Sequence, residues 1–241
     1  MKFLKLSLME LKKIFKAKGV YIGILIAVMF AVAIGIQAKI SPASFNSNHV
    51  FSFFSSIANL VLIVYGAKSL ADEFQIKTST QLFTSKQSRA TILLVKVMSI
   101  VLLSVILSVI GAILLITFKY ILSEPLTIKI AFKDLWVELY TFVIYGFVVS
   151  AFGSFVTMFT LNTATSMIST IAAFFIGPNI IAMIMDRYPD LVKILEIIPF
   201  YSADCLTSYH NVGILGVLVL ILFGFIMLLT NTILMSKQDL R

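Results

Sequence analysis

The sequence predicts an all-α membrane protein of six transmembrane helices with both termini on the cytoplasmic side. Three observations carry that expectation. Residues 139–185 run for 47 positions without Asp, Glu, Lys or Arg. As one helix they would reach about 70 Å, more than twice the ~30 Å hydrocarbon core, so the run must fold back. The polar cluster Thr160-Leu161-Asn162-Thr163, followed by Thr165 and Ser166, is the plausible turn. The 241 residues are 60% hydrophobic and 12% charged, with a mean hydropathy of +1.05. Soluble domains carry about 25% charged residues. Finally, thirteen of the nineteen Lys and Arg fall before residue 19, between 68 and 96, or after 236. Basic residues collect on the cytoplasmic side of a membrane protein.

Charge-free runs place the spans at about 18–39, 49–68, 97–118, 139–160, 165–185 and 212–235. Helices follow from the cost of an unpaired backbone group in hydrocarbon, and the short alternating segments of a barrel are missing. Ahead of the first span, residues 1–18 read as an interfacial helix. Leu4, Leu8, Leu11 and Phe15 share one face and Lys5, Lys12 and Lys16 the other, which suits the headgroup layer of a lipid bilayer. That segment lacks the small-residue cleavage pattern of a signal peptide. Residues 186–211, outside the cell, carry Leu191, Val192, Ile194, Leu195, Ile197 and Ile198 around Lys193 and Glu196. They read as a short re-entrant amphipathic helix ended by Pro199. The whole of 1–241 forms one transmembrane domain.

Recognisable catalytic chemistry is missing from the sequence. It holds no HExxH, GxSxG or GxxxxGK[ST] pattern, and its single Cys205 stands outside any metal-ligand spacing. A net charge of +8 is explained by loops that meet anionic lipid, not by nucleic acid. No ionisable residue interrupts the spans, which argues against ion or proton coupling. Small residues recur at Ala27, Ala31 and Gly35 and at Gly146, Ser150 and Ser154, seams that let helices approach closely, within the bundle or across a dimer. Gly177-Pro178-Asn179 should kink the fifth span, with Asn179 re-satisfying the freed backbone or facing a cavity. Asn59 is the other isolated amide at membrane depth.

Between the second and third spans the chain turns polar while keeping Phe74, Ile76, Leu82 and Phe83. Apolar residues so placed suit docking into a groove on a soluble partner. Glu73, Phe74, Thr78, Leu82, Ser88, Arg89 and Lys96 together resemble the first cytoplasmic loop of the permease subunits of type-2 ABC exporters. The pattern departs at Lys77, where that family usually has Gly, and at Lys86, where it often has Pro. The resemblance extends over the whole chain: the N-terminal helix, six spans, a tiny loop between spans four and five, and an amphipathic segment before the last span.

The resemblance implies a half-transporter that dimerises, as a homodimer or with a related permease, and recruits a cytoplasmic ABC ATPase. ATP and Mg would then be bound by that partner, with no cofactor in this chain and no enzyme activity of its own. Residues 73–89 would form a coupling helix on the ATPase, including Glu73, Phe74, Thr78, Leu82, Phe83, Ser88 and Arg89. Leu161, Asn162 and Thr163 would make the second contact. The family lines its path with the second and fifth spans, so Phe54, Asn59, Tyr65, Phe174, Phe175 and Asn179 become the substrate-path candidates. An apolar, aromatic lining suits amphipathic peptides, antimicrobial peptides or hydrophobic drugs, exported across a bacterial plasma membrane. The N-terminal region resembles the phenol-soluble-modulin exporters of staphylococci. The alternative is a stand-alone immunity or binding protein without transport activity.

Overall fold

The structure, a computed structural model, describes residues 2–75, 88–208, 210 and 212–237. Thr78, Leu82 and Phe83 of the expected coupling helix, with Lys77 and Lys86, lie outside the described residues. All regular structure among the described residues is helical, and six helices are long and apolar enough to cross a membrane.

The chain opens with α1 (Lys2–Lys16) and α2 (Lys18–Ile40), followed by α3 (Ser47–Gln75), α4 (Arg89–Ile121) and α5 (Ile128–Thr160). α4 and α5 hold 33 residues each, about 50 Å of helix and more than the bilayer core needs. The helices therefore begin at Arg89 and Ile128, ahead of the span starts expected at 97 and 139. Ser88 caps α4 by accepting from the Thr91 N–H at 3.2 Å, and Thr127 caps α5 through the Ile130 N–H. The second span is likewise longer than 49–68: α3 continues past Lys68, which pairs with Asp72 one turn on at 3.9 Å. Charges mark where these helices leave hydrocarbon, not where they end.

α3 and α5 form the centre of the bundle, and the first, fifth and sixth spans leave broad apolar faces exposed. Backbone meets backbone where Gly153 of α5 crosses α3; a Cβ there would lie 2.9 Å from the Ala67 N and Cα. Both small-residue seams pack inside the chain. Ala27, Ala31 and Gly35 are buried, with Gly35 against the Phe118 ring, while Gly146 faces Ser104.

The fifth span is broken. α6 (Thr163–Ile171) runs into a π-helical turn (Ala172–Ile176) and then α7 (Gly177–Arg187). The turn before it comprises Leu161, in the left-handed region at φ 50°, and Asn162, whose Oδ1 accepts from the Ala164 N–H at 2.8 Å and the Thr165 N–H at 3.3 Å. The expected irregularity at Pro178 takes the form of that π turn, in which the Gly177 N–H reaches back to the Ala172 carbonyl. Asn179 Nδ2 donates to the Phe175 carbonyl at 2.7 Å.

After Arg187 the chain passes through α8 (Val192–Leu195) and α9 (Pro199–Ser208) before α10 (Ile214–Lys237). Pro199 opens a helix instead of ending one, which corrects the sequence reading. Proline fits the first turn because the N–H it lacks has no intrahelical partner there. α9 is wedged among the spans: the Phe200 ring lies 5.1 Å from Phe174, 5.4 Å from Phe152 and 5.7 Å from Phe223. Ser52 Oγ donates to the Ser208 carbonyl at 2.6 Å, fastening α9 to α3.

α1 departs from a helix lying free on the membrane. Ser7 and Leu11 are buried where α1 packs on α4, and Phe15 packs against the core. Leu4 and Leu8 stay exposed beside Phe3 and Met9, as do Lys5, Lys12 and Lys16. The apolar arc is shared between the bundle and the surface.

Candidate functional site

One end of the bundle gathers α1, the end of α3, the start of α4, the α5–α6 turn and the end of α10. Lys96, only 3% exposed, donates to Glu73 Oε1 at 2.8 Å and to Glu10 Oε2 at 2.7 Å. Lys13 donates to the same Glu73 oxygen at 2.7 Å. A buried ammonium is tolerable only when carboxylates surround it. Burial alone would lower the Lys13 pKa, but the Glu73 hydrogen bond and the nearby carboxylates outweigh it and hold it above its ordinary value. Glu73 thus sits on the last turn of α3, clamped by two lysines, and not on an open loop.

The other expected coupling residues converge on the same end. Phe74 packs on a small cluster of Leu70, Leu93, Val97, Met158, Leu228 and Met235. Arg89, the first residue of α4, donates to the Met235 carbonyl at 2.6 Å and so holds the end of α10. Thr163 Oγ1 makes a long hydrogen bond of 3.4 Å to Asp72 Oδ1, joining the α5–α6 turn to the end of α3. Leu161 and Asn162 are exposed beside it.

Four of the six substrate-path candidates come together. Asn59, Phe174, Phe175 and Asn179 line a recess of about 280 Å³ between α3, the π turn, α7 and α9. Asn59 is 2% exposed and donates through Nδ2 to Thr207 Oγ1 at 2.7 Å. Phe54 is not on this surface: it is fully buried against Phe51, Phe142 and Gly111. Tyr65 lies at the other end, in a small hollow with Lys13, Asp72 and Lys96. In spans this uniformly apolar, sequence spacing does not tell the lumen side from the core side.

Sequence reasoning missed Asp204, which also lines the recess. Burial pushes its carboxyl up to about 6, against a lowering hydrogen bond from Ser208. The available signal was Ala203 and Leu206, apolar residues at helical spacing among Ser202 and Thr207, which marks a packed helix after Pro199. Asp204 lies outside the six spans, in the short helix packed among them.

At the opposite end a hollow of about 570 Å³ is lined by His49, Asp134, Glu138 and His210 among others. Glu138, 1% exposed, meets His210 Nε2 at 2.9 Å, while His210 Nδ1 lies 3.1 Å from the Leu206 carbonyl. Both ring nitrogens therefore face acceptors, an arrangement that favours the imidazolium. Lys119 and Asp134 pair nearby at 2.7 Å, tying α4 to α5.

Six helices long and apolar enough to cross a membrane, packed together behind an amphipathic α1, define a multi-pass membrane protein. A family profile described as ABC-2 family transporter protein matches residues 6–178. The chain belongs to that family: it is a multi-pass membrane subunit of an ABC transporter, partnered by an ABC ATPase. The match ends at Pro178, so most of α7, the re-entrant segment and the last span lie beyond it. A search of curated proteins finds no significant match.

Proposed function

We propose that this chain is the permease half of an ATP-driven exporter in a bacterial plasma membrane, with N- and C-termini in the cytoplasm. It pairs with a second permease copy, the same or related. It carries amphipathic or hydrophobic cargo such as peptide toxins, antimicrobial peptides or drugs. ATP and Mg are bound and hydrolysed by the separate ATPase. The observation that carries this reading is the Asp72–Thr163 junction beside the Glu73–Lys96 pair. It joins the end of α3, from which the first expected ATPase contact would start, to the α5–α6 turn expected to make the second. Closure of the ATPase dimer would then load the ends of α3, α4 and α6 together and re-expose the recess between α3 and the broken fifth span.

The test is co-purification with the ATP-binding protein encoded beside this gene, followed by an ATPase assay with amphipathic peptides. A two-plus-two complex whose hydrolysis responds to peptide supports the exporter. A chain that purifies alone and leaves that ATPase unbound overturns it in favour of a stand-alone immunity or binding protein.

A further inference from the structure

Among the described residues, the recess between α3, the π turn, α7 and α9 is lined by one carboxylate and several acceptors, but by no positive charge. Asp204 has the Ser208 hydroxyl as its hydrogen-bond partner, and among the described residues no ion pair forms at it. Asn59, on the facing wall, spends Nδ2 on Thr207 and keeps a buried Oδ1 without a partner. A second unsatisfied group, the Tyr145 hydroxyl, belongs to a ring whose centroid is 6.2 Å from that of Phe174. A carboxylate this enclosed is costly without a counter-charge, and its raised pKa is the expected sign of that cost. Ser52 and Ser56 add hydroxyls, while Phe53 and Phe175 are exposed at the rim.

We propose that this recess binds the ammonium head of a cationic amphipath, with Asp204 as its counter-ion and the aromatic rim receiving the first part of its tail. Aromatic faces add attraction for a cation through their ring quadrupoles. About 280 Å³ holds a head group and a few methylenes, not a whole peptide, so the rest of the tail lies along the exposed Phe53, Phe175 and Ile176 face. Neutral amphipaths gain nothing from the carboxylate, and anionic ones are repelled. As a statement about cargo this rests on the exporter reading; as a binding site it stands on the recess itself.

The test uses the full chain in nanodiscs, with empty nanodiscs as background. The probes are a dansyl-tagged twelve-carbon alkylammonium and the uncharged alcohol of the same length. Wild type should prefer the ammonium probe, and Asp204→Asn should weaken it by roughly 10- to 100-fold while leaving the alcohol unchanged. Asp204→Glu should retain the preference. Lowering the pH from about 7.5 to about 5 leaves an alkylammonium charged but protonates a carboxyl with a pKa of about 6, so wild-type binding should fall. The tyrosine and thiol groups nearest Asp204, namely Tyr145, Tyr201 and Cys205, ordinarily ionise only above that range. His210, beyond the end of α9, is a second group whose charge depends on pH, and persistence of the pH effect in Asp204→Asn would assign it elsewhere and overturn the proposal. Equal loss of both probes, or no preference for the ammonium, overturns it as well. If Asp204→Asn fails to fold, flat wild-type binding across the pH range does so. Charge-selective binding in a chain that recruits no ATPase would sink the exporter reading alone. A working complex with charge-blind binding would sink this inference alone.

Discussion

Lys96 and Glu73 meet at 2.8 Å between α4 and α3, with both side chains all but excluded from solvent. Glu10 of α1 completes the coordination of the ammonium at 2.7 Å. Three segments distant in sequence are therefore held by one lysine at the end of the bundle where α3 ends and α4 begins.

Replacing that lysine should be far more damaging than replacing the pair. Lys96→Met leaves Glu10 without its hydrogen-bonded cation and removes one lysine from Glu73, which keeps Lys13, and breaking a buried ion pair from one side costs about 3–5 kcal/mol. Glu73→Gln with Lys96→Met should cost clearly less than the sum of the single changes. Thermal unfolding in detergent micelles, run as a double-mutant cycle, measures the coupling. Strict additivity would mean the contact carries no energy.

The α3–α5 crossing allows a sharper steric prediction. A methyl group on Gly153 meets the Ala67 N and Cα at 2.9 Å and the Gly66 carbonyl carbon at 3.1 Å. These are backbone atoms that cannot rotate away. Gly153→Ala should destabilise by about 1–3 kcal/mol, whereas Gly213→Ala, with nothing within 4 Å, should leave the unfolding midpoint almost unchanged. Equal midpoints for the two variants would show that the helices separate freely at this point.

The spans and the turn at Leu161 and Asn162 were legible because charge exclusion from hydrocarbon and side-chain capping are local rules. Pro178 likewise announced the break in the fifth span. The faces were not legible. Lipid and core are equally apolar, so Phe54, deep in the core, and Phe175, exposed on the surface, look alike in sequence. The buried pairings of charged groups were not legible for a different reason. Glu73 and Lys96, or Glu138 and His210, become partners only when helices 23 or 72 residues apart are packed together. Read singly, each is an ordinary polar flank.

The α5–α6 turn depends on one side chain. Asn162 Oδ1 accepts from two otherwise unpaired N–H groups at the start of α6. Asn162→Ala should cost about 1 kcal/mol of stability and lower the transport achieved per ATP hydrolysed in proteoliposomes with the ATPase present, because the turn beside Thr163 and Asp72 loses its fixed shape. Asn162→Asp, which keeps the acceptor, should restore both. An Ala variant with unaltered coupling would remove the turn from the proposed transmission route.

The Glu138–His210 contact should make stability depend on pH in a defined direction. Burial lowers the His210 pKa, but the Glu138 hydrogen bond and charge raise it more, so it ends above its ordinary value of 6.5. The folded state then holds that proton more tightly than the unfolded chain does. The contribution is therefore fully present below about pH 6.5 and is lost as the pH rises through the folded-state pKa. Glu138→Gln removes the charge that raises it. The difference in unfolding temperature between wild type and Glu138→Gln should be largest in mildly acidic solution, where the imidazolium faces a carboxylate, and should shrink toward alkaline pH. Asp204 titrates in both proteins, so its influence cancels in that difference. A gap that stays constant across the range would mean the histidine is neutral in the folded protein and the contact is an ordinary hydrogen bond.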